Sequence, residues 1–422
     1  MRNVVLDIPY LMLLVVALMA LLILALVVAT VSVKTLRAAR NRHYGFRQER
    51  VEPWLEIFLL EGESPELQRM GMGGKDRYLA PLMLERMDLL RGSDRERIAG
   101  LARRLGLVDS YLRDLGSHNR WRRARAAERL GYFGDSGEAH EIARILEDED
   151  ETVRAVAARA LARIGSPEAV EGLARTLDNP SELTRLRVAE NLDRVGRAAV
   201  PPLIALLEEA ADPESSHQPD GPVFASRVLG GLRAREARPA LRLVFRESRD
   251  PNIRAQAARA LGMIGDTEDV PLLVEAAGDD EWPVRVQSAN ALGMIGEPST
   301  SPVLEELVGD REWWARYAAA SALANMGRSG EDTLIGLLDS SDPYARDRAA
   351  ATLESRGITR RFVRQFPLES ARGERARTAV AALAGSGITR HLHDLLVDLP
   401  DDNQKRALQD MVEEAESGAE QE

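Results

Sequence analysis

VRAVAARALARIGSPEAVEGLARTLD, residues 153–178, reads as two helical segments hinged at Gly165. Arg154, Ala158, Leu161 and Gly165 stand at relative positions 0, 4, 7 and 11, on one face of an α-helix. Gly165 closes that helix, because glycine tolerates the left-handed conformation of a helix C-terminus. Beyond it, Val170, Leu173 and Leu177 form a second apolar stripe at helical spacing. The product is a helical hairpin too small to hide its own apolar face, so it requires neighbours of its own kind.

Those neighbours lie on both sides. The marker glycine recurs as Gly134, Gly165, Gly196, Gly265, Gly296, Gly327 and Gly357. Four residues before each stands Leu130, Leu161, Leu192, Leu261, Leu292, Leu323 and Leu353, and seven before stands Ala127, Ala158, Ala189, Ala258, Ala289, Ala320 and Ala350. Eleven before comes a ladder of arginines: Arg123, Arg154, Arg185, Arg254, Arg285, Arg316 and Arg346. Eight after the first six glycines come Ile142, Leu173, Ile204, Leu273, Leu304 and Ile335. Asp250-Pro251 and Asp342-Pro343 open helices, a capping carboxylate followed by a proline whose missing N–H costs nothing there. One copy is degenerate: Arg227 opens a poor match after the insert ADPESSHQPDGP at 211–222. A terminal copy has Leu383, Gly387 and Leu395 without the arginine, and the ITR triplet of 358–360 returns at 388–390.

The pattern of 153–178, and equally IRAQAARALGMIGDTEDVPLLVEAAGD at 253–279, resembles HEAT-like repeats of the short bacterial kind. The resemblance covers roughly residues 119–400 and implies an all-α fold, an α-solenoid of eight or nine hairpins that binds proteins. The same short repeats resemble those of bilin lyases of phycobilisome assembly. Deoxyhypusine hydroxylases are HEAT-like proteins that hold iron with several His-Glu pairs, whereas this chain has one, His140-Glu141, among six histidines. His391 and His393 would point about 200° apart on a helix, poor geometry for a shared metal. HEAT-like DNA glycosylases need a basic groove, which the charge below opposes.

From Tyr10 to Val33 no residue is charged, and about 20 such residues span a hydrocarbon core. Residues 34–50 then carry Lys34, Arg37, Arg40, Arg42, Arg47 and Arg50 against Glu49 alone. A secretory signal has a shorter apolar run, with its positive charge in front. The expectation is therefore an uncleaved single-pass helix in residues 1–33, the N-terminus outside and everything after the basic segment in the cytoplasm. Taking the local +5 from the total of −11 leaves −16 over residues 51–422, since Arg2 and Asp7 cancel. So acidic a body repels phosphate backbones and excludes general nucleic-acid binding.

Residues 51–118 are helical without fitting the repeat and read as an N-terminal cap, with MGMGGKD at 70–76 a glycine-rich turn. Residues 119–400 form the solenoid. Residues 401–422 are acidic, with a last helix over Asn403–Glu414 and a frayed remainder. There is no cysteine, hence no thiolate metal site or cysteine nucleophile. No catalytic residue, metal or cofactor is expected.

Two sets of residues carry the functional expectation. The arginine ladder shares the face of the buried Ala and Leu, so it is structural and lies between hairpins. Its partners are the acids four residues earlier (Asp150, Asp250, Glu281, Glu312, Asp342) or the carbonyls that end the previous repeat. Trp121, Trp282, Trp313, Trp314 and Tyr344 lie thirteen or fourteen residues before their glycines, along one edge. They either staple the helix starts or anchor a partner. In the second reading Trp282, Trp313, Trp314 and Tyr344 form the site, and Glu281 and Glu312 an acidic rim that favours a basic partner. The function expected is a non-enzymatic scaffold or adaptor at the inner membrane, holding a protein partner such as a membrane complex. The alternative is a bilin-lyase-like or chaperone-like assembly factor for a chromoprotein.

Overall fold

The structure, a computed structural model, describes residues 4–69, 75–90, 92–212, 220–386, 390–396, 399 and 401–419. Every regular element among them is a helix. The chain forms two compact units, Met1–Ile142 and Ala143–Glu422.

In the first unit a single helix runs from Val4 to Glu61. Its segment Met12–Ser32, 21 residues at mean hydropathy 3.3 with none of it buried, is long and apolar enough to cross a membrane. The helix does not break at the basic stretch. Its far end buries Val51, Leu55 and Phe58, packing against the helix Lys75–Leu89. Arg86 on that helix donates to Glu52 at 2.7 Å. Of the glycine-rich turn, residues 70–74 lie outside the described residues. The unit ends with the helix Arg120–Phe133 and most of the helix Ser136–Arg144. Arg103 clamps the turn between them by donating to Asp135 and Glu138 at 2.7 and 2.8 Å.

The second unit is an α-solenoid of helix pairs. A longer helix (Glu151–Ile164, Glu182–Val195, Asp220–Gly231, Pro251–Ile264, Trp282–Ile295, Trp313–Asn325, Pro343–Ser355) precedes a shorter one in each repeat. Each longer helix packs on the next, and the marker Ala and Leu residues are no more than 2% exposed. Asp150, Asp250 and Asp342 cap their helices by accepting backbone N–H groups one or two residues inside. In the central repeats these helices approach so closely that only glycine fits. A Cβ on Gly293 would lie 2.5 Å from the Ala322 Cβ, and one on Gly262 equally close to Ala291.

Two departures from the sequence reading have physical causes. Gly165, Gly265, Gly296 and Gly357 are left-handed, but Gly196 and Gly327 combine positive φ with ψ near −135° (−133° and −136°). After those two glycines the buried residue moves back by one, to Leu203 and Leu334, leaving Ile204 and Ile335 half-buried. The degenerate copy is not opened by Arg227. It is registered on Arg233, which takes the positive φ (49°) that glycine holds elsewhere. Counting from Arg233, Leu229 and Leu241 fill the core positions, Ser226 replaces the alanine and Pro222 the ladder arginine.

The terminal copy places Leu383 in the buried face of Ala371–Gly385. Its Gly387, with Ile388 and Thr389, lies outside the described residues, as do 213–219 of the insert. The last helix, Asp402–Ala419, runs beyond Glu414, with Leu408 and Val412 buried and Ala371–Gly385 as its neighbour.

Candidate partner-binding site

Each ladder arginine rises from the second turn of its helix and reaches back to the carbonyl six residues earlier. Arg123 donates to Ser117 in the first unit. In the second, Arg154, Arg185, Arg254, Arg285, Arg316 and Arg346 donate to the carbonyls of Asp148, Asn179, Ser248, Asp279, Asp310 and Ser340, at 2.6 to 3.2 Å. Among the described bonds of Arg254, Arg285, Arg316 and Arg346, none goes to the carboxylate four residues earlier. Asp150, Asp250 and Asp342 serve as caps, while Glu281 and Glu312 make no side-chain cap bond.

Where the ladder meets a carboxylate, it comes from the following repeat. Asp279 accepts from Nε and Nη2 of Arg254, both at 2.9 Å. Asp310 accepts likewise from Arg285 at 2.7 and 2.9 Å, and Asp220 pairs with Arg185 at 2.8 Å. The aspartate hydrogen bond is the chief cause raising the Arg254 and Arg285 guanidinium pKa above its ordinary value. Burial alone would raise the carboxyls, but the arginine bonds, the N–H of Glu281 or Glu312 and the nearby guanidinium charges hold both aspartates below the usual carboxylate range. The position of Asp279 and Asp310, seventeen residues before the marker glycine, escaped the sequence reading. It is Ser, Asp, Asn, Ser, Asp, Asp and Ser down the series from Ser117 to Ser340, each side chain accepting the N–H two residues on.

The aromatic residues stand at the exposed starts of their helices. Trp313 and Trp314 are 44% and 56% exposed and Tyr344 is 65% exposed. Trp313 meets Trp314 edge-on with ring centroids 4.7 Å apart, and stacks on Tyr317, one turn along, at 5.4 Å. Tyr317 was missed because an aromatic occupies its register position in this repeat only. From the next repeat, Arg348 lies over Trp313 at 4.9 Å and over Tyr317 at 5.6 Å, and Arg316 lies 5.1 Å from the Tyr344 ring. Burial first, then the charge of Arg316, lowers the Arg348 guanidinium from its ordinary value. Trp282, also exposed, makes no ring contact with this cluster among the described residues. Trp121 belongs to the other unit, where Arg120 covers its ring, and Trp54 is half-buried.

Among the described residues no group of His, Asp and Glu is placed to hold a metal. His140 and His393 are both exposed, and the side chains of His43, His217 and His391 lie outside the description. An apolar groove of about 610 Å³ runs between Pro167–Arg175 and Val200–Ala210, walled by Pro167, Ala174, Pro201, Pro202, Ala205 and Leu206.

The family model for HEAT repeats matches residues 110–193, 139–218, 200–287, 239–324 and 276–354. No curated protein matches the sequence. Among solved structures, the CpcE–CpcF complex of phycocyanin lyase from Nostoc sp. PCC7120 is 22% identical, covering 59% of this chain and 94% of that one at a TM-score of 0.29. Human deoxyhypusine hydroxylase is 21% identical over 60% of this chain and 99% of its own, at 0.27. A karyopherin bound to a SUMO protease is 14% identical, covering 84% of this chain but 47% of its own length, at 0.45. The fold is shown by the family match, and a fold by itself does not fix a function.

Proposed function

This chain belongs to the HEAT-repeat family, and from that premise we propose that it is a non-enzymatic, membrane-anchored scaffold. Its solenoid holds a protein partner at the cytoplasmic face of the inner membrane, through the edge marked by Trp282, Trp313, Trp314 and Tyr344. One observation carries the reading: Trp313 contacts both Trp314 and Tyr317, yet each of the three is left at least 44% exposed. Scattered exposed apolar residues are ordinary, but a contiguous aromatic patch marks an interaction surface. Aromatic anchors also dominate interface energetics, often at about 2 kcal/mol or more on truncation. Glu281 and Glu312, free of capping bonds, flank it.

The anchor is supported by an apolar span longer than a signal's, by basic residues on its C-terminal side, and by a helix that continues through the region where cleavage would fall. We divide the chain accordingly into the span (1–33), a basic segment (34–50), a helical cap (51–118), the solenoid (119–400) and an acidic tail (401–422).

The test is a Trp313→Ala, Trp314→Ala double variant of the full chain, followed by circular dichroism, thermal melting and capture of partners from solubilised membranes. Partner loss with an unchanged melting curve is the expected result. A large fall in Tm would return both residues to a stapling role, and undiminished capture by a folded variant would move the interface elsewhere.

A further inference from the structure

We propose that the aromatic cluster receives an acidic segment of its protein partner, a carboxylate docking between Arg316 and Arg348 while an adjacent apolar side chain lies against Trp313, Trp314 and Tyr344. The proposal rests on the docking reading above and specifies its chemistry.

The ladder supplies the first argument. Arg254 and Arg285 each hold a carboxylate delivered by the next repeat. Arg316 is the next rung, and the residue that should complete it is Ser340, equivalent to Asp279 and Asp310 in carbonyl role and in turn geometry. Arg316 keeps its bonds to the carbonyls of Asp310 and Arg311, but no carboxylate of the described chain reaches it. One rung therefore lacks the anion that the two before it possess.

Arg348 supplies the second. It is stacked on Trp313 and Tyr317, makes no hydrogen bond or ion pair among the described residues, and has its Nε closed from solvent without a partner. A second guanidinium, Arg316, stands near enough to depress its basicity. Two guanidinium groups thus lie over the rings of one aromatic cluster, Arg316 at Tyr344 and Arg348 at Trp313 and Tyr317, with no carboxylate paired to either among the described residues, an arrangement that an anionic ligand would complete. Asp342, Asp347 and Glu312 are close in sequence but pair with neither arginine: Asp342 is committed to the N–H of Tyr344, and Asp347 is exposed.

Around these two arginines Trp313, Trp314, Tyr317 and Tyr344 stand exposed. A guanidinium with its terminal nitrogens unbound offers a planar fork that matches a carboxylate. The basic partner expected from Glu281 and Glu312 left out Arg348, which the sequence does not connect to Trp313. The structure does.

The experiment uses the full chain in detergent micelles and three labelled peptides of one design: Asp/Glu residues alternating with Leu, the Asn/Gln isostere, and a Lys counterpart. Binding is read by fluorescence anisotropy. The acidic peptide should bind, weaken as salt rises, and exceed the isostere by about tenfold or more. Arg348→Gln should remove that preference. Ser340→Asp, which supplies the missing carboxylate from within, should raise Tm and also weaken the acidic peptide, an outcome that a purely structural role for the rung would not produce. Equal binding of acidic and amide peptides, preference for the Lys peptide, attachment of anionic vesicles with no peptide binding, or full binding by Arg348→Gln would each overturn the proposal. If Arg348→Gln retains the natural partner while the double tryptophan variant loses it, the docking reading stands and the carboxylate chemistry falls. If both variants keep the partner, both readings fall.

Discussion

Asp310 holds two arginines in two different ways, its carboxylate taking Arg285 of the preceding repeat and its carbonyl taking Arg316 of its own. Arg285 and Asp310 are both almost closed to solvent, with side chains 7% and 9% exposed. Removing one partner strands the other charge. Arg285→Ala should therefore cost on the order of 3–5 kcal/mol, read as a lowered denaturant midpoint. Asp310→Asn, which keeps an acceptor in place, should cost less, about 1.5–3 kcal/mol. The pH dependence follows from the depressed pKa of Asp279 and Asp310. A carboxyl that is more acidic folded than unfolded stabilises fully above its unfolded pKa of about 3.9 and loses that stabilisation as pH falls through the lower, folded value. The arginines remain charged throughout. Stability should hold above about pH 4 and drop below it, and the drop should be shallower in an Asp279→Asn, Asp310→Asn variant. A flat acid limb in the wild-type chain would contradict this. The ladder itself was legible in the sequence, because its spacing is internal to each repeat. Its carboxylate partners were not, since they lie twenty-five residues downstream, and a search within one helix turn finds the capping acids instead.

At the level of elements, the helix Val4–Glu61 joins a membrane-length apolar span to a buried end in one uninterrupted rod. If the span is an uncleaved anchor with its N-terminus outside, protease added to spheroplasts should leave a C-terminal tag intact, and mass analysis should find residues 1–33 retained. A mature chain starting near residue 30 would defeat the anchor reading. Helix starts were readable at the Asp-Pro pairs because caps are local chemistry, whereas left-handed closure holds at Gly165, Gly265, Gly296 and Gly357 but not at Gly134, Gly196 or Gly327. The degenerate hairpin was misread too. Arg233 closes it in a conformation that a search for glycine does not detect. Nor does a fixed offset show the one-residue shift to Leu203 and Leu334, which accompanies a change in ψ at Gly196 and Gly327.

For the whole molecule, the period revealed the solenoid, whereas the proposed binding chemistry depends on which side chains of different repeats meet. The two-way grip of the ladder aspartates has one more consequence. Asp279 and Asp310 occupy the same place in successive repeats, so joining residue 279 directly to 311 removes one repeat and leaves Asp279 holding Arg254 through its carboxylate and Arg316, again six residues on, through its carbonyl. A chain deleted for residues 280–310 should fold and keep its helical circular dichroism per residue, losing stability in proportion to one repeat and its interface. A deletion of the same length begun in mid-helix, such as 290–320, joins copies equally in phase and should behave alike, while one shortened by two residues should not fold. Loss of structure in the in-phase deletions would refute it. As far as folding is concerned, copy number is thus open to change by unequal crossing-over between neighbouring repeats, provided that the join keeps phase.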